Sequence, residues 1–507
     1  MSVVDNVPEK RSLGSRISRI VWDRDEKPEH ERKFVQWLDL HLFVIACLGY
    51  FIKYLDQANI ANAYVSGMQE DLDFTGNQYN TLLSMFTAGY VIGQFPGTLL
   101  MVKISPSIWL PFCEILWTVL VMCCSVAKNV ETLYALRFFI GMAEATSYPG
   151  MIWVLGSWYG PSELGKRAVI FQATSAAGTM FSGYLQAAVH TNLNGVGGLT
   201  GWQWLFIMDG VISLPIAFAG LFLIPDIPNK PNPRARWWLR QKHLDIAQER
   251  MAQMKRAPPT GFSLQTFKKG FSSWVPWAFF VPYTCFVLGL SSYAYMNLWL
   301  KATAPWKTNV TLINIIPTGG YALQIVMALV YSWVSDALNT RYPVIIFGGT
   351  VALIGNAILA SWPASKNAIF AGFFLNFTVT STGALMLAWA NELTSGNAEG
   401  RAITVGFLNT ASYVFNAWVP NLLFPSSKAP HYPLGYKVTT AFWAANIVGT
   451  ALIVLFVRRD KREAHIAEVA RENDENGGGV KGIGIIGGDG VSARGDEGSS
   501  VEDVKVR

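Results

Sequence analysis

Long apolar runs broken by short polar stretches dominate this chain, at roughly 38–58, 79–101, 107–127, 130–155, 168–190, 203–224, 274–298, 309–333, 343–362, 367–389, 402–424 and 438–457. Each is about twenty residues long, the length at which a helix crosses roughly 30 Å of hydrocarbon. The pattern predicts an all-α membrane protein with twelve transmembrane helices in two six-helix halves. The first run turns polar after Phe51.

The polar segments set the expected organisation: a tail over 1–37, a six-helix bundle over 38–224, a central loop over 225–273, a second bundle over 274–457, and a disordered tail over 458–507. The central loop opens on Pro225, Pro228, Pro231 and Pro233 and continues as RARWWLRQKHLDIAQERMAQMK. That stretch reads as a surface helix whose Trp237, Trp238, Leu239, Ile246 and Met251 cover an interfacial face, or as a solvated connector. The last tail is Gly-rich and polar, a composition unable to bury a core.

An internal echo supports a duplicated half. SELGKRAVIFQATSAAG recurs as NAEGRAITVGFLNTASY, which aligns Arg167-Ala168 with Arg401-Ala402 at the start of the fifth and eleventh runs. Repeated six-helix units are a common transporter plan.

Composition excludes a soluble protein: 51% of the residues are hydrophobic and 15% charged. The basic residues orient the helices. Of 40 Lys and Arg, Lys128, Lys301, Lys307, Lys366, Lys428 and Lys437 fall in loops on one side, and Lys53 and Arg137 lie inside spans. The rest lie in the tails and the loops on the other side, so both termini are expected in the cytoplasm. The net charge of +6 therefore reports topology, and no nucleic-acid partner is expected. All five cysteines lie within the runs without metal-ligand or disulfide spacing, and they read as small buried hydrophobes. No metal, cofactor or nucleophile–base constellation is evident, so an enzyme is not expected.

Six ionisable residues interrupt the apolar runs, all in the first half: Lys53, Asp56, Glu114, Arg137, Glu144 and Asp209. A charge in hydrocarbon costs about 2.5 kcal/mol or more, so it persists only beside a partner or an aqueous path. With a rise of about 1.5 Å per residue, Arg137 lies roughly 10 Å and Glu144 roughly 21 Å below the outer face, seven residues apart on one helical face. Lys53 falls near the depth of Arg137, Asp56 a turn further out, and Glu114 near the depth of Glu144. Two cations at one level above two carboxylates suit an anion site over a proton relay. Arg holds a carboxylate by a forked hydrogen bond and Lys as a point charge. An anion arriving beside them changes how readily a buried carboxyl holds its proton. Glu144 is the leading proton carrier in this reading, and Asp56 the second.

Each assignment has a structural alternative. Arg137 and Glu144 can form a static ion pair, and Lys53 and Asp56 can neutralise each other at the end of a helix. Asp209 sits near a helix N-terminus, which by itself favours a carboxylate. Glu114 suits a packing or gating contact. The second half offers amides and aromatics, with Tyr293, Tyr295, Asn297 and Trp299 in the seventh run, Asn376 and Trp389 in the tenth, and Asn409, Tyr413 and Asn416 in the eleventh. Such groups suit the uncharged end of a ligand, although amides also bind helices to one another.

KYLDQANIANAYVSGMQEDL, RFFIGMAEATSYPGMIWVLGSWY, SELGKRA and NLWLK together resemble the major facilitator superfamily, specifically its fungal anion:cation symporters. The resemblance covers about 38–457 and is strongest at Arg137-x-x-x-Gly141-x-x-Glu144. It implies the major facilitator fold, anion recognition by Arg137 and proton coupling by Glu144, and Lys53 matches a basic position of that family. WANEL beside NAEGRA is similar to the pantothenate branch. The usual acidic-basic signature between the second and third helices is reduced to Gly97 and Lys103, whereas Asp336 and Arg341 keep part of it in the second half and are the expected gating residues.

The combined expectation is a monomeric plasma-membrane symporter that takes up a small organic anion with a proton by alternating access. Pantothenate is the foremost candidate, bound by Lys53, Arg137, Asn297, Asn376 and Asn409. Allantoate, nicotinate or another carboxylate is the alternative, as is a nutrient sensor that does not transport.

Overall fold

The computed structural model describes residues 28–253, 271–338, 340–394 and 398–475. Helices occupy all twelve expected stretches. In chain order they are α1 (Glu29–Asp71), α2 (Gln78–Lys103), α3 (Pro106–Val126), α4 (Val130–Glu144), α5 (Ser147–Trp158), α6 (Pro161–Leu193) and α7 (Gly201–Leu223). A short α8 (Gln241–Gln253) lies in the central segment. There follow α9 (Val275–Ala302), α10 (Val310–Ala337), α11 (Tyr342–Ser361), α12 (Lys366–Leu393), α13 (Ala398–Asn416), α14 (Val419–Leu423) and α15 (Pro433–Glu475).

Eight of these are long and apolar enough to cross a membrane by length and composition. The remaining stretches are α2, α4 with α5, α6, and α13 with α14. They are interrupted or richer in Gly, Ser, Thr and Gln.

The fourth span breaks at Ala145-Thr146. Pro149 supplies no N–H and its ring crowds the carbonyl four residues earlier, which places the break directly after Glu144. Between α2 and α4 the backbones nearly touch: a Cβ on Gly89 would collide with the Phe138 carbonyl, and one on Gly141 with that of Phe86. Glycine there lets the two helices approach closely enough to aim Arg137 and Glu144 inward.

The chain divides into two compact units, Met1–Ile453 and Val454–Arg507. In the second, Arg459 Nε lies 2.7 Å from Glu463 Oε1 on the end of α15. Two apolar clusters fill the first unit. One, at the end away from the tails, includes Trp117, Trp202, Trp299 and Phe424. The other, at the tail end, gathers Phe34, Leu38, Trp158 and Trp238.

The structure adds a helix to one polar segment and corrects the expectations for two others. The first tail is helical from Glu29, because Phe34, Val35 and Leu38 bury one face of that turn. The last helix continues to Glu475, so the described part of the expected disordered tail is helical; 476–507 lie outside the described residues. In the central segment the helix begins only at Gln241, and Trp238 does not face an interface. Trp238 is buried and stacks on His41 at 4.7 Å, while Trp237 is exposed. The Met251 side chain lies outside the described residues.

The proline cluster forms a two-strand turn, β1 (Asp226–Ile227) against β2 (Lys230–Pro231). Asp226 accepts hydrogen bonds from Ser107 N at 2.6 Å and Ser107 Oγ at 2.8 Å, and this fastens the turn to the start of α3. Arg250 of α8 is buried against Glu163 of α6 at 2.6 Å and Glu31 of α1 at 2.9 Å, and Arg167 pairs with Asp39 at 2.6 Å. These pairs occupy the tail end of the first half, where the acidic-basic signature is incomplete. The Arg401 side chain, its counterpart in the repeat, lies outside the described residues.

Candidate functional site

The structure collects Lys53, Arg137 and Glu144 in the interior of the first bundle, all three buried. Lys53 sits on α1, one helical turn before Gln57, so both face α4. Gln57 Nε2 donates to Glu144 Oε2 at 2.7 Å, and Lys53 Nζ donates to the Glu144 backbone carbonyl at 3.4 Å, beside the break in the fourth span. Lys53 Nζ also lies 4.8 Å above the Tyr90 ring, a cation–π contact. Tyr90 of α2 in turn approaches Tyr413 of α13, with centroids 5.8 Å apart, which brings the second half to the same place.

The Arg137 guanidinium lies 5.8 Å from the Phe86 ring, and its Nε and Nη2 have no hydrogen-bond partner although the residue is 3% exposed. Neither static ion pair considered for these charges forms among the described residues. Arg137 is not within bridging distance of Glu144, nor Lys53 of Asp56. Glu144 instead takes its bond from the neutral Gln57, and its Oε1 has no partner. Buried polar groups are nearly always satisfied, so these unpaired atoms can take a ligand's polar groups.

Asp56 lies three residues before Asn59 on α1, on the helical face from which Asn59 reaches Asp209 of α7. Asp209 accepts from Asn59 Nδ2 at 2.7 Å and from Ser213 Oγ at 3.3 Å. It lies more than two turns into α7, beyond the first turn in which a helix dipole acts. The helix N-terminus therefore does not account for it. Glu114 packs near Gly49 of α1, and its Oε1 is without a partner.

The amides expected to meet the uncharged end of a ligand are scattered. Asn297 donates to Asn62 Oδ1 at 3.0 Å, bridging the two halves at the end away from the tails. Asn376 belongs to a network inside the second bundle: its Oδ1 accepts from Asn356 Nδ2 at 2.5 Å, and Asn356 Oδ1 accepts from Thr439 at 2.9 Å. Each is held by protein. Asn409 is half-buried on α13, four residues before Tyr413. Asp336 and Arg341 pair directly, and Arg341 Nη2 reaches Glu392 at 2.9 Å, so all three partners lie in the second half.

Sequence reasoning passed over Gln57 and Tyr90. The i,i+4 spacing from Lys53 would have marked Gln57. Nothing local marks Tyr90, whose role arises from the approach of α2 to α1.

The sequence profile described as Major Facilitator Superfamily matches residues 46–306. An MFS transporter of Pestalotiopsis fici, PfmaC, is 35% identical, with the match covering 89% of this chain and 85% of that protein. A pantothenate transporter of Schizosaccharomyces pombe, liz1, is 33% identical over 88% of this chain and 86% of its own length. The pantothenate transporter FEN2 of Saccharomyces cerevisiae is 30% identical over 83% and 84%. Among solved structures, the xylose transporter XylE from E. coli superposes with a TM-score of 0.62 at 13% identity, covering 82% of this chain and 98% of that one. That likeness bears on the fold alone.

Proposed function

Because this chain belongs to the Major Facilitator Superfamily and is a membrane transporter rather than an enzyme, we propose that it carries pantothenate, or a closely similar small carboxylate, in symport with a proton. One observation carries this reading: the Arg137 guanidinium is buried with two of its nitrogens unpartnered. A ligand carboxylate supplies what those nitrogens lack, and a forked Arg–carboxylate pair is strong and directional. Lys53 adds a second charge. Tyr90 and Tyr413 offer aromatic surface and hydroxyls to the remainder of the ligand.

Glu144 is the coupling carboxyl in this scheme, with Asp56 as the second carrier. Gln57 and Lys53 hold Glu144 on one side, and the cations that bind the substrate lie within electrostatic range of it. An anion neutralising Arg137 and Lys53 removes the positive field that favours the ionised carboxylate, so substrate and proton bind together.

The halves rock about this site, with Asp336, Arg341 and Glu392 holding the tail end of the second bundle. The excess of Lys and Arg at the tail end supports cytoplasmic termini, and a role in nutrient uptake is in keeping with the plasma membrane. Uptake of labelled pantothenate into proteoliposomes, with and without an inward proton gradient, tests the proposal. Gradient-driven accumulation is expected. Binding without accumulation would establish a sensor, and indifference to the label with competition by nicotinate or allantoate would establish another carboxylate.

A further inference from the structure

A line of side-chain hydrogen bonds leads away from the buried carboxyls on α1 and α7 to the contact between the halves. Asn297 Nδ2 of α9 donates to Asn62 Oδ1 at 3.0 Å, Asn62 Nδ2 to Ser182 Oγ at 2.7 Å, Ser182 Oγ to Asn59 Oδ1 at 2.6 Å, and Asn59 Nδ2 to Asp209 Oδ2 at 2.7 Å. Every donor points the same way. A chain so aligned polarises each member and ends on an acceptor, the arrangement that best supports a negative charge at Asp209. All six side chains from Asn297 to Asp56 are nine-tenths buried or more. A solvated surface explanation is therefore excluded.

At the far end Asp56, one turn before Asn59 on α1, lies on the face that meets Asp209, with no hydrogen bond to either of its carboxyl oxygens and 1% of the residue exposed. The surrounding titratable groups are Cys124 of α3 and Arg137 and Glu144 of α4, with the Trp117 indole of α3 beside them; Arg137 is the one cation among them. Two facing carboxyls in a low-dielectric interior do not both ionise readily, so such a pair tends to hold one proton between them.

We propose that Asp56 and Asp209 form a proton site holding one shared proton, and that the Asn59–Ser182–Asn62–Asn297 chain ties its occupancy to closure of the two halves at the end away from the tails. The proposal rests on the symport reading above and deepens it. When the halves part at that end, Asn297 leaves Asn62, the chain loses its first donor, and Asp209 bears charge less readily. The pair, already sharing one proton, then takes a second from water. When the halves meet, the chain is restored and that second proton returns to water; no other bond forms or breaks. Linkage requires the converse, that protonation of the pair loosens this closure.

Hydrogen–deuterium exchange of the full-length protein in lipid nanodiscs, without substrate, reads that closure. The reporter peptides are 62–78, 295–301 and 419–426, which carry contacts between the halves such as Lys301 Nζ to Gln69 Oε1 at 2.9 Å and Asn421 Nδ2 to Ser84 Oγ at 2.8 Å. After correction for intrinsic chemical exchange, these peptides should lose protection by about fivefold or more between about pH 8 and about pH 5, the lower range of coupling between sites. Ser182→Ala breaks the chain in its middle and leaves the Asn62–Asn297 contact in place. It should flatten the response to less than about twofold, as should Asp209→Asn.

A pH response unchanged in either variant, or absent from the wild type, overturns the proposal. The readout needs no substrate, which separates it from the symport reading. An intact, variant-sensitive response without pantothenate uptake refutes only the choice of substrate, and normal uptake with a flat response refutes only the relay.

Discussion

Replacing Arg137 by methionine tests the anion site most directly. In the free protein the guanidinium is buried with Nε and Nη2 unpartnered, so its removal breaks no hydrogen bond at those atoms and relieves a desolvated charge. The melting temperature of the substrate-free variant in detergent should therefore not fall. Binding should suffer instead. Truncating one partner of a buried, hydrogen-bonded charge pair costs about 2–5 kcal/mol, which is about 30-fold to a few thousand-fold in Kd. Lys53 remains, held over Tyr90 at 4.8 Å, and shares the carboxylate, so the loss should sit at the lower end, about 30–100-fold. Scintillation proximity binding with labelled pantothenate measures this. Pantothenol, whose alcohol replaces the carboxylate, supplies the control: it should bind wild type and variant alike, because the interaction it lacks is the one removed. A change in pantothenate Kd below about threefold, or an equal loss for both ligands, would refute the assignment.

Three further outcomes follow from the geometry. Glu144→Gln keeps a side chain able to bond Gln57 but carries no exchangeable acid, so proton-driven accumulation should vanish while pantothenate counterflow persists; unchanged gradient dependence removes Glu144 from coupling. Arg250→Met leaves Glu163 and Glu31 without the guanidinium that joins them at 2.6 and 2.9 Å, and should cost about 3–5 kcal/mol, read as a lower melting temperature. Adding Glu163→Gln should recover part of that loss, and no recovery would argue against the pair. Trp238→Ala empties a fully buried site and should cost about 3–5 kcal/mol, whereas Trp237→Ala, at an exposed position, should change stability by about 0.5 kcal/mol or less in the same thermal assay.

Helical span, polar break and buried charge are local properties, and the sequence alone was enough to find them. Hydrocarbon thickness dictates run length, and an ionisable residue inside such a run is costly wherever the helix later packs. Lys53, Arg137 and Glu144 were legible for that reason, whereas Asp336 and Arg341 were legible only through the family resemblance. Neutral amides carry no such penalty. Asn297 and Asn376 were equally compatible with a ligand and with another helix, and contacts among α1, α9, α11, α12 and α15 decided their present partners. The interfacial reading of Trp238 failed because the amphipathic pattern of 234–253 does not say whether lipid or α1 covers its apolar side.

The chain by itself therefore determined where apolar helical stretches would lie and which charges had to be buried, since each follows from the transfer of a side chain out of water. Tertiary structure alone decided that Arg137 would stay unpaired, that Gln57 rather than a cation would bond the Glu144 carboxylate, and that Asp56 would face Asp209. Those outcomes depend on distances of a few ångströms between helices far apart in sequence, set by close approaches such as Gly89 against Phe138, and electrostatic energies change steeply over that range.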